Sequence, residues 1–199
     1  MKHRDKREDF SSDEKFANFR SLVLENKESE VFFRSASATR NVYGRMEVVK
    51  TIIRDKSIKT IIDLTAIECN CLSNEFGQKL ADQFRKILTE DGPYIIQCDA
   101  GKKRTGFASV VLEMLSGTNY EFIVQDYIES YVNNNGINVT NDCDTVERIK
   151  ERIDKIIRFI DGTEKNISEM DFASSAELYL SRCGFSEYEM LELRKKLKS

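Results

Sequence analysis

The sequence predicts an α/β fold: a central, mostly parallel sheet flanked by helices, with a helical C-terminal part. Three observations carry that prediction. Short apolar runs at 59–64 and 94–96 each follow a stretch whose apolar residues recur at helical spacing, and helix-then-strand order implies parallel neighbours. The second run feeds through a loop containing Gly101 and Gly106 into an apolar stretch long enough for a buried helix. From Gly117 onward every apolar pattern has helical period.

At 199 residues the chain is long enough to bury about 70% of the surface its unfolded form would expose. One domain spanning 16–199 is expected, preceded by a charged, flexible segment at 1–15. Val31, Phe32, Phe33 and Arg34 are β-prone and run into the small residues 35–38, a strand and turn. Tyr43, Met46, Val49, Ile52 and Ile53 mark a helix over 43–55. Strand 59–64 carries Asp63 near its end. Phe76, Leu80, Phe84, Ile87 and Leu88 mark a helix over 74–89, stopped by Asp91, Gly92 and Pro93. Pro93, the only proline, begins the turn into the strand at 94–96. Four helices follow, at 120–134, 144–160, 172–183 and 186–197. Ser186 and Glu189 form a capping box for the last, and Gly184 suits a left-handed end to the one before.

Composition removes several function classes. A net charge of −3 gives no electrostatic footprint for nucleic acid. No apolar run approaches the roughly 18 residues of a membrane span, and the charged start lacks the apolar part of a signal peptide. No stable membrane insertion is expected, and the setting is read as cytoplasmic, with unconventional export left open. Five cysteines without framework spacing suit a reducing compartment. His3 is the only histidine, which leaves zinc catalysis and Ser-His or Cys-His nucleophile pairs without material. The sequence leaves the oligomeric state open.

The chemistry concentrates in the loop after strand 94–96. Cys98 and Arg104 enclose five residues and Thr105 follows. Asp99, Ala100, Gly101, Lys102, Lys103, Arg104 and Thr105 have the composition of a turn whose backbone N–H groups, with the positive end of the next helix, converge on a phosphate. Arg104 adds a planar fork for two phosphate oxygens. A thiol held in such a field is pushed toward thiolate and needs no base. Thr105 can donate to the sulfur and ease its departure in a second step.

This part of the chain resembles the protein tyrosine phosphatase superfamily, in its atypical bacterial branch with NFRD, RSA, IDLR and CxAGKDRTG motifs. The matching residues occur in order: Asn18-Phe19-Arg20, Phe33-Arg34-Ser35-Ala36, Ile61-Ile62-Asp63-Leu64, the loop from Cys98 to Gly106, Asp126-Tyr127, and the closing helix. The resemblance implies a cysteine-phosphatase fold and a ping-pong reaction through a cysteinyl-phosphate, with no metal or organic cofactor. It implies a carboxylic acid upstream of the loop that protonates the leaving oxygen. Asp63 is the first candidate and Glu68 the second. Three residues depart from the pattern: Gln97 for His, Thr65 for Arg, and Lys103 for Asp.

The substrates implied are phosphorylated proteins carrying phosphotyrosine or, as the alternative, phosphoinositides and inositol phosphates, toward which Lys102 and Lys103 would incline the site. The departures keep a non-catalytic phosphate-binding protein as the contrasting reading. Cys69 and Cys71 read as ordinary buried thiols, with a resolving role toward oxidised Cys98 as the sharper alternative. Tyr120, Tyr127 and Tyr131, with Phe122, read as the inward side of a helix rather than a wall for phosphotyrosine.

Overall fold

The computed structural model describes residues 3–163 and 165–198. Four strands form one sheet in the order β1-β2-β4-β3, with β1 Arg20–Leu24, β2 Lys27–Ser35, β3 Thr60–Asp63 and β4 Tyr94–Gln97. β1 and β2 are antiparallel; β2, β4 and β3 are parallel. The mostly parallel sheet expected from helix–strand alternation is therefore present, with one antiparallel edge strand that was not anticipated. Strand β2 is also longer than the apolar run at 31–34, because its first half, from Lys27 to Glu30, is an exposed edge with no apolar signature.

Side-chain alternation divides the core between the two faces of the sheet. Phe32, Ile62, Tyr94 and Ile96 join the larger cluster, whereas Phe33 and Ile95 join the smaller one. The smaller cluster is covered by α2 (Met46–Asp55), which contributes Val49 and Ile52. The larger is covered by α3 (Asn74–Thr89), α4 (Lys103–Leu115), α5 (Tyr120–Asn135), α6 (Cys143–Asp161), α7 (Phe172–Arg182) and α8 (Glu187–Leu197). Helix α4 is buried from Arg104 to Leu115. Surrounded on all sides, it needs no polar stripe, which is why its sequence is apolar all round. Among the described residues no helix is long and apolar enough to cross a membrane.

Register positions the functional edge. Ser35, Gln97 and Asp63 are aligned across β2, β4 and β3, so the three parallel strands end side by side. The loops that follow them meet at the carboxyl edge of the sheet, where open α/β sheets bind ligands.

The charged start carries more order than its composition suggested. Its first helix, α1 (Asp13–Phe16), follows a 3-10 turn at Arg7–Asp9, and Phe10 and Phe16 are buried against each other with ring centroids 5.2 Å apart. Arg45 fixes the segment by donating to the Arg4 carbonyl at 2.8 Å and to Asn134 Oδ1 at 2.5 Å. Met1 and Lys2 lie outside the described residues.

Candidate active site

Cys98 follows β4 directly and is 3% exposed, at the floor of the loop that leads into α4. An anion cradle requires that the loop carbonyls point away from the centre, so that N–H groups point toward it. Here two carbonyls are held outward by side chains. Asn18 Nδ2 donates to the Ala100 and Gly101 carbonyls at 3.2 and 2.8 Å, and Arg34 Nη2 donates to the Gly101 carbonyl at 3.0 Å. Gly101 itself has φ +62°, and a Cβ there would lie 2.4 Å from the Ser35 carbonyl. Only glycine permits this turn so close to the end of β2.

A buried ion cluster lies beneath the loop. Asp126 on α5 accepts from Arg20 Nε at 2.6 Å and pairs with Arg34, while Ser130 Oγ accepts from Arg20 at 2.8 Å and from Arg34 at 3.0 Å. Burial alone would push the Asp126 carboxyl up, but the two guanidiniums hold it below its ordinary value. Glu113 on α4 is also fully buried. Burial, reinforced by Asp126, pushes its carboxyl well above the usual carboxylate range. Two arginines against one ionised aspartate leave one positive charge under the loop. That charge favours a bound anion.

Arg104 is the loop cation. Burial opposes its charge, but Cys98 and Asp99 raise its pKa above the ordinary value. Its Nη1 donates to the carbonyls of Leu64, Thr65 and Ile67 at 2.9, 2.8 and 2.8 Å, and its Nη2 bonds Asp99. The 64–67 segment after β3 is thereby fastened to the loop by one guanidinium. Thr65, which stands in place of an arginine, contributes through its backbone. Thr105 is fully buried, and its hydroxyl has no hydrogen-bond partner among the described residues.

The two candidate proton donors are placed differently. Asp63 is half-buried, accepting from the Thr65 amide at 2.9 Å and the Thr39 hydroxyl at 2.8 Å. Burial pushes its carboxyl up, but these donors outweigh it and the pKa lies below the usual value. Such a carboxylate stays ionised and fixes the turn after β3. Glu68 is exposed and lines a hollow with Ser73, Glu75 and Lys79. Gln97 is fully buried at the end of β4, and its Oε1 accepts from the Ala38 amide at 3.0 Å. It ties the turn after β2 to the base of the loop.

The rim is basic. Lys102 is buried, donates to Asn135 Oδ1 at 2.9 Å, and sits 4.7 Å over the Tyr131 ring. Burial, helped by Lys103, Arg152 and Arg45, lowers its pKa to about 8. Beside it, a pocket of about 260 Å³ is walled by Cys69, Cys71, Tyr127 and Tyr131 and carries Lys103, Arg152 and Lys155. Tyr127 and Tyr131 are buried, as expected of an inward helix face, yet they also line this pocket. Burial, with Cys69 and Cys98 adding to it, pushes the Cys71 thiol up to about 12, while Cys69 is exposed.

Among residues that hold the site, Asn18, Arg20, Arg34 and Asp126 enter the sequence pattern only as parts of a resemblance, without a role, and Arg40, Glu113, Ser130 and Asn135 do not enter it. The available signal was charge inside apolar surroundings: Arg34 closes the run Val31-Phe32-Phe33, and Glu113 interrupts the buried helix.

A family model described as the tyrosine phosphatase family matches residues 66–199, more than half of the chain. A search of curated proteins gave no match.

Proposed function

Because the chain belongs to the tyrosine phosphatase family, we propose that it hydrolyses phosphate monoesters through a cysteinyl-phosphate on Cys98, with protein phosphotyrosine as the substrate. The observation that carries this reading is the loop itself. Cys98 follows β4 directly, the carbonyls of Ala100 and Gly101 are held away by Asn18 and Arg34, and Arg104 lies in the first turn of α4.

The sulfur attacks phosphorus, and the loop amides with Arg104 hold the equatorial oxygens. Because the net positive charge of the Arg20–Arg34–Asp126 cluster is fixed before substrate arrives, no reorganisation is needed as charge develops. The Thr105 hydroxyl has no competing partner among the described residues and is available to the sulfur when the thiolate leaves. Asp63 positions the 63–65 turn, and through it the carbonyls that hold Arg104. The continuous cluster from Leu22 to Leu197 supports treating 16–199 as one domain. A phosphotyrosyl peptide should release phosphate, and orthovanadate should stop it. If no monoester is hydrolysed while phosphate still binds, the reading fails in favour of a non-catalytic phosphate-binding protein.

A second reading, hydrolysis of phosphoinositides or inositol phosphates, is favoured by the basic pocket beside the loop, where Lys102, Lys103, Arg152 and Lys155 gather in a chain of net charge −3. It has its own pH signature. Lys102 is charged below about 8 and neutral above it, and kcat/KM reports the free enzyme. For a short-chain phosphoinositide, kcat/KM should therefore fall as pH rises through about 8, and Lys102→Met should remove that fall. A singly phosphorylated peptide assayed in parallel should show the smaller change; equal changes would favour the peptide reading.

A further inference from the structure

We propose that Asp99, the residue after the nucleophile, carries the proton to the leaving oxygen and takes one from water in the second step. The inference rests on the Cys98 reading above and adds a residue to it. Asp99 is bound through one oxygen to Arg104 Nη2, and its other oxygen lies 3.3 Å from Arg40 Nη1. Its side chain is 22% exposed, and the oxygen that faces Arg40 is itself buried. A phosphate oxygen seeking the Arg104 fork must therefore displace, or share with, the Asp99 carboxylate.

That competition makes the carboxylate responsive to substrate. In the free protein Asp99 has two cationic neighbours. When a phosphate dianion takes the Arg104 fork, Asp99 loses its principal cation and gains a doubly negative neighbour. Like charges that close disfavour a second ionised group, so the carboxyl takes up a proton from solvent as substrate binds. It then holds that proton beside the scissile bond, the state a general acid needs. Asp63 is tied to Thr39 and Thr65, and Glu68 is grouped with Lys79, so neither is coupled to Arg104 in this way.

The steps balance. The Cys98 sulfur lone pair forms the S–P bond as the P–O bond breaks, and the leaving oxygen takes the proton of the Asp99 carboxyl and departs as the alcohol. Asp99, now a carboxylate, accepts a proton from the water that attacks phosphorus. The S–P electron pair returns to sulfur, and inorganic phosphate is released.

Leaving-group dependence tests this, because a residue that merely positioned Arg104 would affect all substrates alike. Asp99→Asn should slow phenyl phosphate by about 10²-fold or more, while nitrophenyl phosphate, whose leaving group needs little protonation, should change by less than about tenfold. Asp63→Asn and Glu68→Gln should leave the ratio of the two substrates unchanged. Asp99→Ser, measured on the same pair, serves if the Asn variant does not fold. Equal slowing of both substrates, or a changed ratio in Asp63→Asn or Glu68→Gln instead, overturns the proposal. Cys98→Ser separates the two readings: turnover surviving that change removes the mechanism itself, whereas a dead Cys98→Ser with an unchanged ratio in Asp99→Asn removes only this role.

Discussion

Cys98→Ser is expected to lower turnover of every phosphate monoester by about 10⁶-fold, the order of loss when a catalytic nucleophile is removed, while phosphate remains bound. An alcohol in this position has no base to activate it. The only histidine, His3, stacks on Tyr43 with ring centroids 4.4 Å apart. Asn18, Arg34, Arg104 and the loop amides do not depend on the sulfur, so the cradle should persist in the variant. Serine carries no negative charge that could repel a phosphate dianion, so phosphate should bind at least as tightly as to the parent. Phosphate release from a phosphotyrosyl peptide and calorimetry with inorganic phosphate read the two quantities separately. Turnover within about a hundredfold of the parent would mean that the nucleophile is another group.

The parts of the fold that could be read from sequence are those with a local signal. Helix α3 was placed at 74–89, where it lies, and α6 within a residue at each end, because their apolar stripes face a core and their other faces meet water. The loop was legible for the same reason: a strand, a spacing and a helix all fall between residues 94 and 115. The hairpin of β1 and β2 was not. Its turn uses Glu25 and Asn26 at φ +49° and +66°, left-handed positions where a glycine would have announced the turn. Its edge is charged, so the period-2 signal is absent from half of β2. The supports of the site were hidden for another reason. Asp126 meets Arg34 and Arg20 across 92 and 106 residues of sequence, and no local pattern encodes a pairing at that distance. The contact between Asp99 and Arg104 was hidden as well, because a pairing inside one loop has no periodic pattern to announce it.

Removing Asp126 should be strongly destabilising. Its side chain is 3% exposed, between Arg34 at 0% and Arg20 at 17%. Taking one partner out of such a group leaves buried guanidiniums without a counter-charge, at a cost of about 3–5 kcal/mol, a large share of a typical total of about 5–15 kcal/mol. Glu113 complicates the single variant in a way that can be measured. Burial first and Asp126 second push its carboxyl up, so Asp126→Asn removes one of those causes, its pKa falls toward the ordinary value, and its carboxyl is the group placed to take over part of the lost charge. The loss on Asp126→Asn should therefore be smaller than that on Asp126→Asn with Glu113→Gln, and the difference in urea midpoints across the double-mutant cycle gives the coupling. Acid provides the control. Asp126 has a folded pKa below its unfolded value of 3.8, so its contribution is present above that pH and is lost as pH falls through the folded pKa. Parent and variant should differ at neutral pH and converge below 3.8. Because Arg34 also holds the Gly101 carbonyl, phosphate affinity should fall in the same variants; equal midpoints at neutral pH would mean that the cluster contributes no net stability and serves the loop alone.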